Sequence, residues 1–247
     1  MNKPGLLFNK KKQLFVCAVF RIAFLLVTYF RGSLHSFDIQ VNVWIPSIQS
    51  SPLTIINKGI ATGFDTISLV LFSLIISGYL FFKNYRAEGL LLLSAMGGDA
   101  LLVWVVKELV QSPRPLNSLV AASGFSYPSG HVTGSIVFCG SLAFIVWQHW
   151  KNKKEQASIG ILVVAVSSVV GFNRIYLNVH WFSDVLGAGM LGIFWLFSAI
   201  LAFQFLQDRA KSDSERFRSI SWILFILGTI ISVFIVVYSL SGHYFPS

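Results

Sequence analysis

Charged side chains are scarce in this chain of 247 residues. Asp, Glu, Lys and Arg together make up 12% of the sequence, whereas soluble globular domains carry about 25%. Hydrophobic residues account for 55%, which is more apolar surface than a water-soluble core of this size buries. The composition therefore excludes an ordinary soluble domain and favours a protein whose surface faces a lipid bilayer.

Cysteine and acidic residues are also few. The two cysteines, Cys17 and Cys139, lie inside apolar runs, so we interpret them as small packing residues rather than a disulfide or metal ligands. The acidic residues form no cluster of the kind that holds Mg²⁺. We therefore expect neither a metal nor another cofactor.

The net charge of +9 does not indicate a nucleic-acid partner. The cations occur in short clusters between apolar stretches and not along one surface of a domain. In a membrane protein such an excess reflects orientation and contact with anionic lipid. We expect a membrane lipid as the partner, and the sequence gives no indication of the oligomeric state.

Seven apolar runs approach or reach the ~20 residues that cross a bilayer. They cover residues 14–30, 66–82, 89–106, 132–147, 158–172, 185–206 and 220–240. The first run follows a basic leader but is not followed by a small-residue cleavage site, so an uncleaved anchor is expected. The sequence predicts an all-α, polytopic transmembrane helical bundle that forms a single domain over residues 1–247, with six core spans and a seventh C-terminal span.

Basic residues predict the orientation of these spans. With the N-terminus in the cytoplasm, most Lys and Arg residues fall on the inner segments, as the positive-inside rule requires. Five remain outside: Arg31, Lys58, Lys107, Arg114 and Arg174. We interpret Arg31 and Lys58 as ordinary loop residues close to Asp38 and Asp65, and the other three as parts of a site.

Three polar segments all fall on the outer side in this topology. They read KELVQSPRP at 107–115, YPSGH at 127–131 and NRIYLNVHWFSD at 173–184. The first and third supply three permanent cations, and guanidinium groups match tetrahedral oxyanions with paired hydrogen bonds. Ser129 and Gly130 lie where a helix is expected to begin, and unpaired N–H groups at a helix start bind phosphate. The pattern predicts a phosphate-binding site.

Two histidines provide the groups that phosphoryl transfer needs. His180 and Asp184 are four residues apart, which places them on one face if both are helical. Asp184 can accept the proton of one imidazole nitrogen and leave the other free to attack phosphorus. His131 follows the phosphate-binding segment and can protonate the leaving oxygen and then activate water.

In this order, K-x6-R-P, P-S-G-H and R-x5-H-x3-D resemble the signature of the type 2 phosphatidic acid phosphatase superfamily. The family contains bacterial membrane lipid phosphatases and soluble vanadium haloperoxidases. The resemblance covers roughly residues 107–184 and the spans around them. It implies a phosphohistidine at His180, support from Asp184 and acid–base catalysis by His131. It also implies phosphate binding by Lys107, Arg114, Ser129, Gly130 and Arg174.

The sequence departs from the family pattern at Asn173, where a serine usually precedes the arginine. An asparagine amide can still donate a hydrogen bond to phosphate, so Asn173 is included in the predicted phosphate site. The resemblance implies hydrolysis of a lipid phosphate or pyrophosphate in a bacterial plasma (inner) membrane. Undecaprenyl pyrophosphate and phosphatidylglycerol phosphate are the leading candidates, and the site is expected to face the exterior.

Other interpretations remain open at this point. Each motif alone is compatible with a turn, a helix cap or a headgroup anchor. The same site would serve a lipid phosphotransferase, in which a second lipid replaces water. A polytopic transporter is a third possibility, because Asp99 lies inside the third span; we expect Asp99 instead to bond to a neighbouring helix.

Overall fold

The computed structural model of the protein describes residues 9–150 and 152–210. Over these ranges every regular element is a helix. A short 3₁₀ helix, Ile45–Ile48, joins the second and third of eight α-helices. The α-helices are α1 Lys10–Tyr29, α2 Arg31–Trp44, α3 Ser51–Gly63, α4 Thr66–Phe82, α5 Arg86–Val110, α6 Gly130–His149, α7 Lys153–Tyr176 and α8 Phe182–Ala210.

Among the described residues, five helices are long and apolar enough to cross a membrane: α1, α5, α6, α7 and α8. Helices α3 and α4 are bent by 49° at a short break and make a sixth span if they are counted as one. The predicted all-α bundle is confirmed, and the first six predicted runs coincide with α1 and α4 to α8. The seventh run, 220–240, lies outside the described residues and stays a prediction.

Helix α6 lies at the centre of the bundle, against α5, α7 and α8, and α1 packs on α8. Small residues allow these helices to approach closely, as is typical where van der Waals packing holds helices together in lipid. A Cβ at Gly140 of α6 would lie 2.2 Å from a side-chain carbon of Leu196 in α8. A Cβ at Gly187 would lie 2.3 Å from the Tyr127 hydroxyl. The loop before α6 therefore packs directly on α8.

Residues 31–65 differ from the sequence-based expectation. They were expected to form an outer loop, but they contain α2 and α3, so Arg31 and Lys58 are helical residues. Asp65 accepts a hydrogen bond from the Ser68 amide at 2.7 Å and caps α4. Helices of 14 and 13 residues are too short to produce an apolar run of about 20 residues, so the sequence does not predict them as spans.

The loop between α5 and α6 is folded back onto the bundle. Gln111 ends α5 in the left-handed region at φ 50° and turns the chain. Further along, the Leu119 amide donates to the Leu177 carbonyl at 3.0 Å. This bond ties the loop to the short connection between α7 and α8, where the third motif lies.

Candidate active site

The three motifs meet at one end of the bundle. The first occupies the last turn of α5 and the following loop, the second leads into α6, and the third spans the end of α7 and the start of α8. The Ser129 amide lies 3.4 Å from the Asp184 carbonyl oxygen, joining the second motif to the third. Segments that are distant in sequence therefore share one surface.

His180 and Asp184 are in contact, although not as two residues on one helical face. Helix α8 begins at Phe182, so His180 lies in the preceding turn. The Asp184 side chain reaches back: its Oδ2 accepts a hydrogen bond from the Trp181 amide at 2.9 Å and lies 3.4 Å from His180 Nδ1. This is one half of a capping box, and it fixes the carboxylate beside the imidazole. His180 is 5% exposed and Asp184 is fully buried.

The neighbours of His180 define its tautomer. Arg114 Nη1 lies 3.3 Å from His180 Nε2. A guanidinium group can only donate hydrogen bonds, so Nε2 must carry the lone pair. The ring proton then sits on Nδ1, on the side of Asp184. The nitrogen with the free electron pair faces the cationic side chains.

The surroundings of His180 keep its ring neutral. Burial, followed by the charges of Arg114, Lys107 and Arg174, holds the pKa of His180 well below its ordinary value. Desolvation and nearby cations both disfavour the imidazolium form. A neutral imidazole at pH 7 is the form that can act as a nucleophile.

Arg114 and Lys107 are held in place by backbone carbonyl groups. Arg114 donates to these carbonyls from all three guanidinium nitrogens, at distances between 2.8 and 3.4 Å. The acceptors are the carbonyl oxygens of Ser123, Gly124, Phe125 and Val179. The Lys107 ammonium donates to Phe125 and, at 3.4 Å, to Ser126. Both cations are therefore held in place before any anion binds, and an anion that binds Arg114 must take over some of the N–H groups that now donate to these carbonyls.

The Asn173 side chain bonds to Arg174 and to Asn57. Its Nδ2 donates to the Asn57 carbonyl at 2.6 Å and to Asn57 Oδ1 at 2.9 Å, which uses both amide hydrogens. Its Oδ1 accepts from Arg174 Nε at 2.9 Å and from Nη2. We therefore revise the expected phosphate contact of Asn173: we assign it to orienting Arg174, because no amide hydrogen is left for a ligand.

The second motif forms the start of α6 as predicted. Ser129 precedes the helix, and its buried Oγ has no hydrogen-bond partner. At Gly130 an added Cβ would meet only Val103, at an ordinary 3.6 Å, so packing does not require glycine there. His131 lies within electrostatic range of His180, Arg174 and Arg114. The start of α6 therefore contains the Ser129 hydroxyl, the backbone of Gly130 without a side chain, and the His131 imidazole.

Asp99 has the structural role expected of it. Thr133 in α6 donates from its hydroxyl to Asp99 Oδ2 at 3.2 Å. The bond joins α5 to the first turn of α6 and satisfies one oxygen of an acid that would otherwise be costly at membrane depth.

Two residues of α2 that we did not assign to the site from the sequence also reach it. Arg31 donates to Ser112 Oγ at 2.7 Å, and its guanidinium carbon lies 5.0 Å from the centre of the Tyr127 ring. Asp38 is buried and accepts two hydrogen bonds from Ser183. The sequence signal for these two residues was the spacing of polar residues at helical intervals. It lies in a segment that is too short to be predicted as a span.

Comparison with known proteins identifies the family of this chain. Residues 88–211, about half of the chain, match the PAP2 superfamily. A curated relative, phosphatidylglycerophosphatase B of Bacillus subtilis (strain 168), is 35% identical over 125 residues, which is 50% of this chain and 62% of the relative. The putative undecaprenyl-diphosphatase YbjG of Escherichia coli (strain K12) is 30% identical over 117 residues, 44% of this chain and 54% of the relative. The match thus spans less than two thirds of either relative.

A solved structure has the same fold. The transmembrane PAP2 type phosphatidylglycerolphosphate phosphatase from Bacillus subtilis superposes with a TM-score of 0.70 and 28% identity, covering 75% of this chain and 94% of that one. The family match confirms the resemblance that the three motifs carry. The chain is a multi-span membrane protein that belongs to the PAP2 superfamily.

Proposed function

We propose that the protein is a lipid phosphatase that hydrolyses a lipid phosphate or pyrophosphate through a phosphohistidine. The observation that carries this proposal is a buried His180 set between the Asp184 carboxylate and the Arg114 guanidinium. That arrangement combines an oriented nucleophile with a group that binds phosphate oxygens. The names of the relatives, which refer to phosphatidylglycerophosphate and undecaprenyl diphosphate, support these two lipids as leading substrates.

In the first step His180 Nε2 attacks phosphorus, forming an N–P bond as the P–O bond to the lipid breaks. His131, in the imidazolium form that the bound phosphate anion favours, gives its proton to the departing lipid oxygen. Arg114, Lys107 and Arg174 bind the three equatorial oxygens and stabilise their charge. Asp184 accepts a hydrogen bond from Nδ1–H throughout, and its negative charge stabilises the cationic ring.

In the second step water replaces the lipid. His131, now neutral, takes a proton from the water as its oxygen bonds to phosphorus and the N–P bond to His180 breaks. Inorganic phosphate leaves, and both histidines return to their starting protonation states. A second lipid hydroxyl in the place of this water would make the protein a phosphotransferase.

The proposed site lies on the outer side of a bacterial plasma membrane. The excess of basic residues on the opposite segments supports this orientation. A headgroup can enter at the end of the bundle where the motifs meet, while its tails stay in the bilayer. Labelling of a cysteine introduced at the exposed Leu116 by a membrane-impermeant reagent in intact cells tests the sidedness; protection there, with reaction only after lysis, contradicts it.

Hydrolysis is expected to need no metal ion, because fixed cations supply the positive charge that metals provide elsewhere. Among the described residues, no group of three or more His, Cys, Asp or Glu side chains is arranged to hold one. Purified protein assayed against undecaprenyl pyrophosphate, phosphatidylglycerol phosphate and lipid A phosphate should release phosphate at an unchanged rate in excess EDTA. Loss of turnover in EDTA that Mg²⁺ restores would contradict this. Recovery of a labelled phosphate on an acceptor lipid would indicate the phosphotransferase.

On the acid side of the pH–rate profile, the fall in rate should follow the protonation of His180. Because burial and Arg114 depress its pKa, His180 stays neutral as the pH falls below its ordinary pKa of about 6.5. Arg114→Ala removes the cation and admits water, and both changes raise the pKa of His180. We therefore expect the acid limb of kcat/KM to move to higher pH in the variant, in addition to a lower rate at every pH.

The control for this profile is Lys83→Ala, which removes a cation that lies over the Tyr79 ring after α4, outside the three motifs. Substrate ionisation is the same in all three proteins, so only a difference between profiles is informative. An acid limb that stays in place in Arg114→Ala while the rate falls would show that His180 is not the group that titrates.

A further inference from the structure

One face of α2 contacts the first and the third motif. Arg31, Asp38 and Asn42 are spaced by seven and four residues, which places them on the same side of the helix. Arg31 donates to Ser112 in the first motif. On the third motif, Asn42 donates to the Asn178 side chain, and Asp38 accepts from Ser183 as described above. The helix thus touches the segment containing His180 on both sides of that residue.

Asp38 caps α8 from another helix. Its Oδ1 accepts the Ser183 amide at 2.9 Å, and its Oδ2 accepts the Ser183 hydroxyl at 2.6 Å. An oxygen that receives the second amide of a helix is the usual N-cap interaction. The residue before α8 is Trp181, whose side chain has no oxygen and donates to the Pro113 carbonyl instead. A local cap is therefore absent, and the carboxylate of Asp38, only 4% exposed, takes its place.

The capped turn is also the turn that holds Asp184. Ser183 and Asp184 are consecutive residues of the first turn of α8, and Asp184 Oδ2 lies between the Trp181 amide and His180 Nδ1. A rotation of this turn would carry the carboxylate away from the imidazole. The hydrogen bond that Asp184 accepts from His180 depends on that distance. A displacement of about 1 Å is therefore enough to lower the rate of the chemical step by about 100-fold.

The cost of this arrangement argues against a cap that serves stability alone. Burial raises the pKa of the Asp38 carboxyl above its ordinary value, and the bonds from Ser183 oppose that shift. Asp184 adds repulsion between two acids at the same helix start. A Ser, Thr or Asn at position 181 would cap α8 without a second buried charge. The positive end of the α8 dipole offsets part of the cost.

We propose that Asp38 is a positioning residue: through Ser183 it fixes the first turn of α8 and so holds Asp184 against His180. This inference rests on the proposed function, in which His180 is the nucleophile. Asp38 itself does not touch the substrate. Its loss should therefore affect the rate of the chemical step more than the affinity for lipid.

The test compares Asp38→Ala with variants that keep part of the contact between Asp38 and Ser183. We expect Asp38→Ala to lower kcat by about 10- to 100-fold with KM nearly unchanged. Asp38→Asn keeps an acceptor oxygen and should retain much of the wild-type kcat. Ser183→Ala keeps the bond from its backbone amide to Asp38, so its kcat should lie between those of Asp38→Asn and Asp38→Ala. The double variant Asp38→Ala with Ser183→Ala should be no slower than Asp38→Ala alone, because both act through one contact.

The matched control is Asn152→Ala, which removes the side-chain cap of α7 at the other end of the bundle. It should leave kcat unchanged. Hydrogen–deuterium exchange supplies a second measurement that does not depend on turnover. Amides 182–185 should exchange faster in Asp38→Ala than in the wild type, whereas Asn152→Ala should affect only the start of α7.

The outcomes separate the two proposals. If the wild type hydrolyses lipid phosphates and Asp38→Ala keeps full kcat per folded molecule, the positioning role is wrong while the phosphatase stands. Effects of the two single variants that add fully, or unchanged exchange at 182–185, overturn it as well. If the wild type hydrolyses no lipid phosphate, the proposed function fails, and the positioning role of Asp38 fails with it.

Discussion

Replacement of His180 by Ala should abolish turnover, with a fall in kcat of at least about 10⁴-fold. The variant keeps Arg114, Lys107 and Arg174, so lipid phosphate should still bind, but no atom remains to form the bond to phosphorus. The measurement is phosphate release from lipid in detergent micelles. An acid-labile, base-stable label should also form on the wild type from substrate carrying ³²P, and it should be missing from the variant.

His149→Ala is the matched control for this loss. His149 ends α6 at the opposite end of the bundle and contacts the Tyr85 ring, so its removal tests for a general effect of losing a histidine. We expect normal turnover and normal labelling. A label that survives in His180→Ala, or turnover within tenfold of the wild type, would place the nucleophile elsewhere.

Replacement of Asp184 by Asn should have the second largest effect, lowering kcat by about 10³- to 10⁴-fold. The asparagine has nearly the same shape and can still accept the Trp181 amide that Asp184 Oδ2 accepts. It carries no charge, however, and its amide hydrogens favour the tautomer in which Nδ1 of His180 is the acceptor. The proton then sits on Nε2, the atom that must attack phosphorus. KM should change little, because the cations are untouched.

Glu155→Gln is the control for removing an acid. Glu155 lies in the first turn of α7, exposed, and accepts a hydrogen bond from the Asn152 side chain. It should retain full kcat. A thermal melt of Asp184→Asn distinguishes a catalytic loss from unfolding. An Asp184→Asn protein that is folded and works at more than a tenth of the wild-type rate would contradict the role of Asp184 in setting the tautomer.

The residues of the three motifs could be predicted from the sequence because their chemistry is local. Ser129 and Gly130 were expected at a helix start, and α6 begins there. His180 and Asp184 were expected in contact, and they are, although through a side chain that reaches back over a turn. Spacing identified the pair but did not reveal that α8 begins two residues after His180.

The role of Asn173 could not be predicted from its chemistry. Its amide was expected to bind phosphate, and the side chain is capable of that bond. Asn57 uses both of its hydrogens instead. Asn57 lies in α3, a helix that the sequence analysis treated as loop. Which of two available acceptors an amide takes depends on which helix packs beside it, and spacing within one motif carries no such information.

Long apolar runs determined that this chain is a bundle of membrane helices, because that property depends on composition along a continuous segment. Tertiary structure alone decided how the site is held. Arg31 and Asp38 lie far from the motifs in the chain, and only the packing of α2 brings them to Ser112 and Ser183. The buried start of α8 and the buried cationic side chains need hydrogen-bond partners. The fold supplies these partners from whichever segment lies nearest.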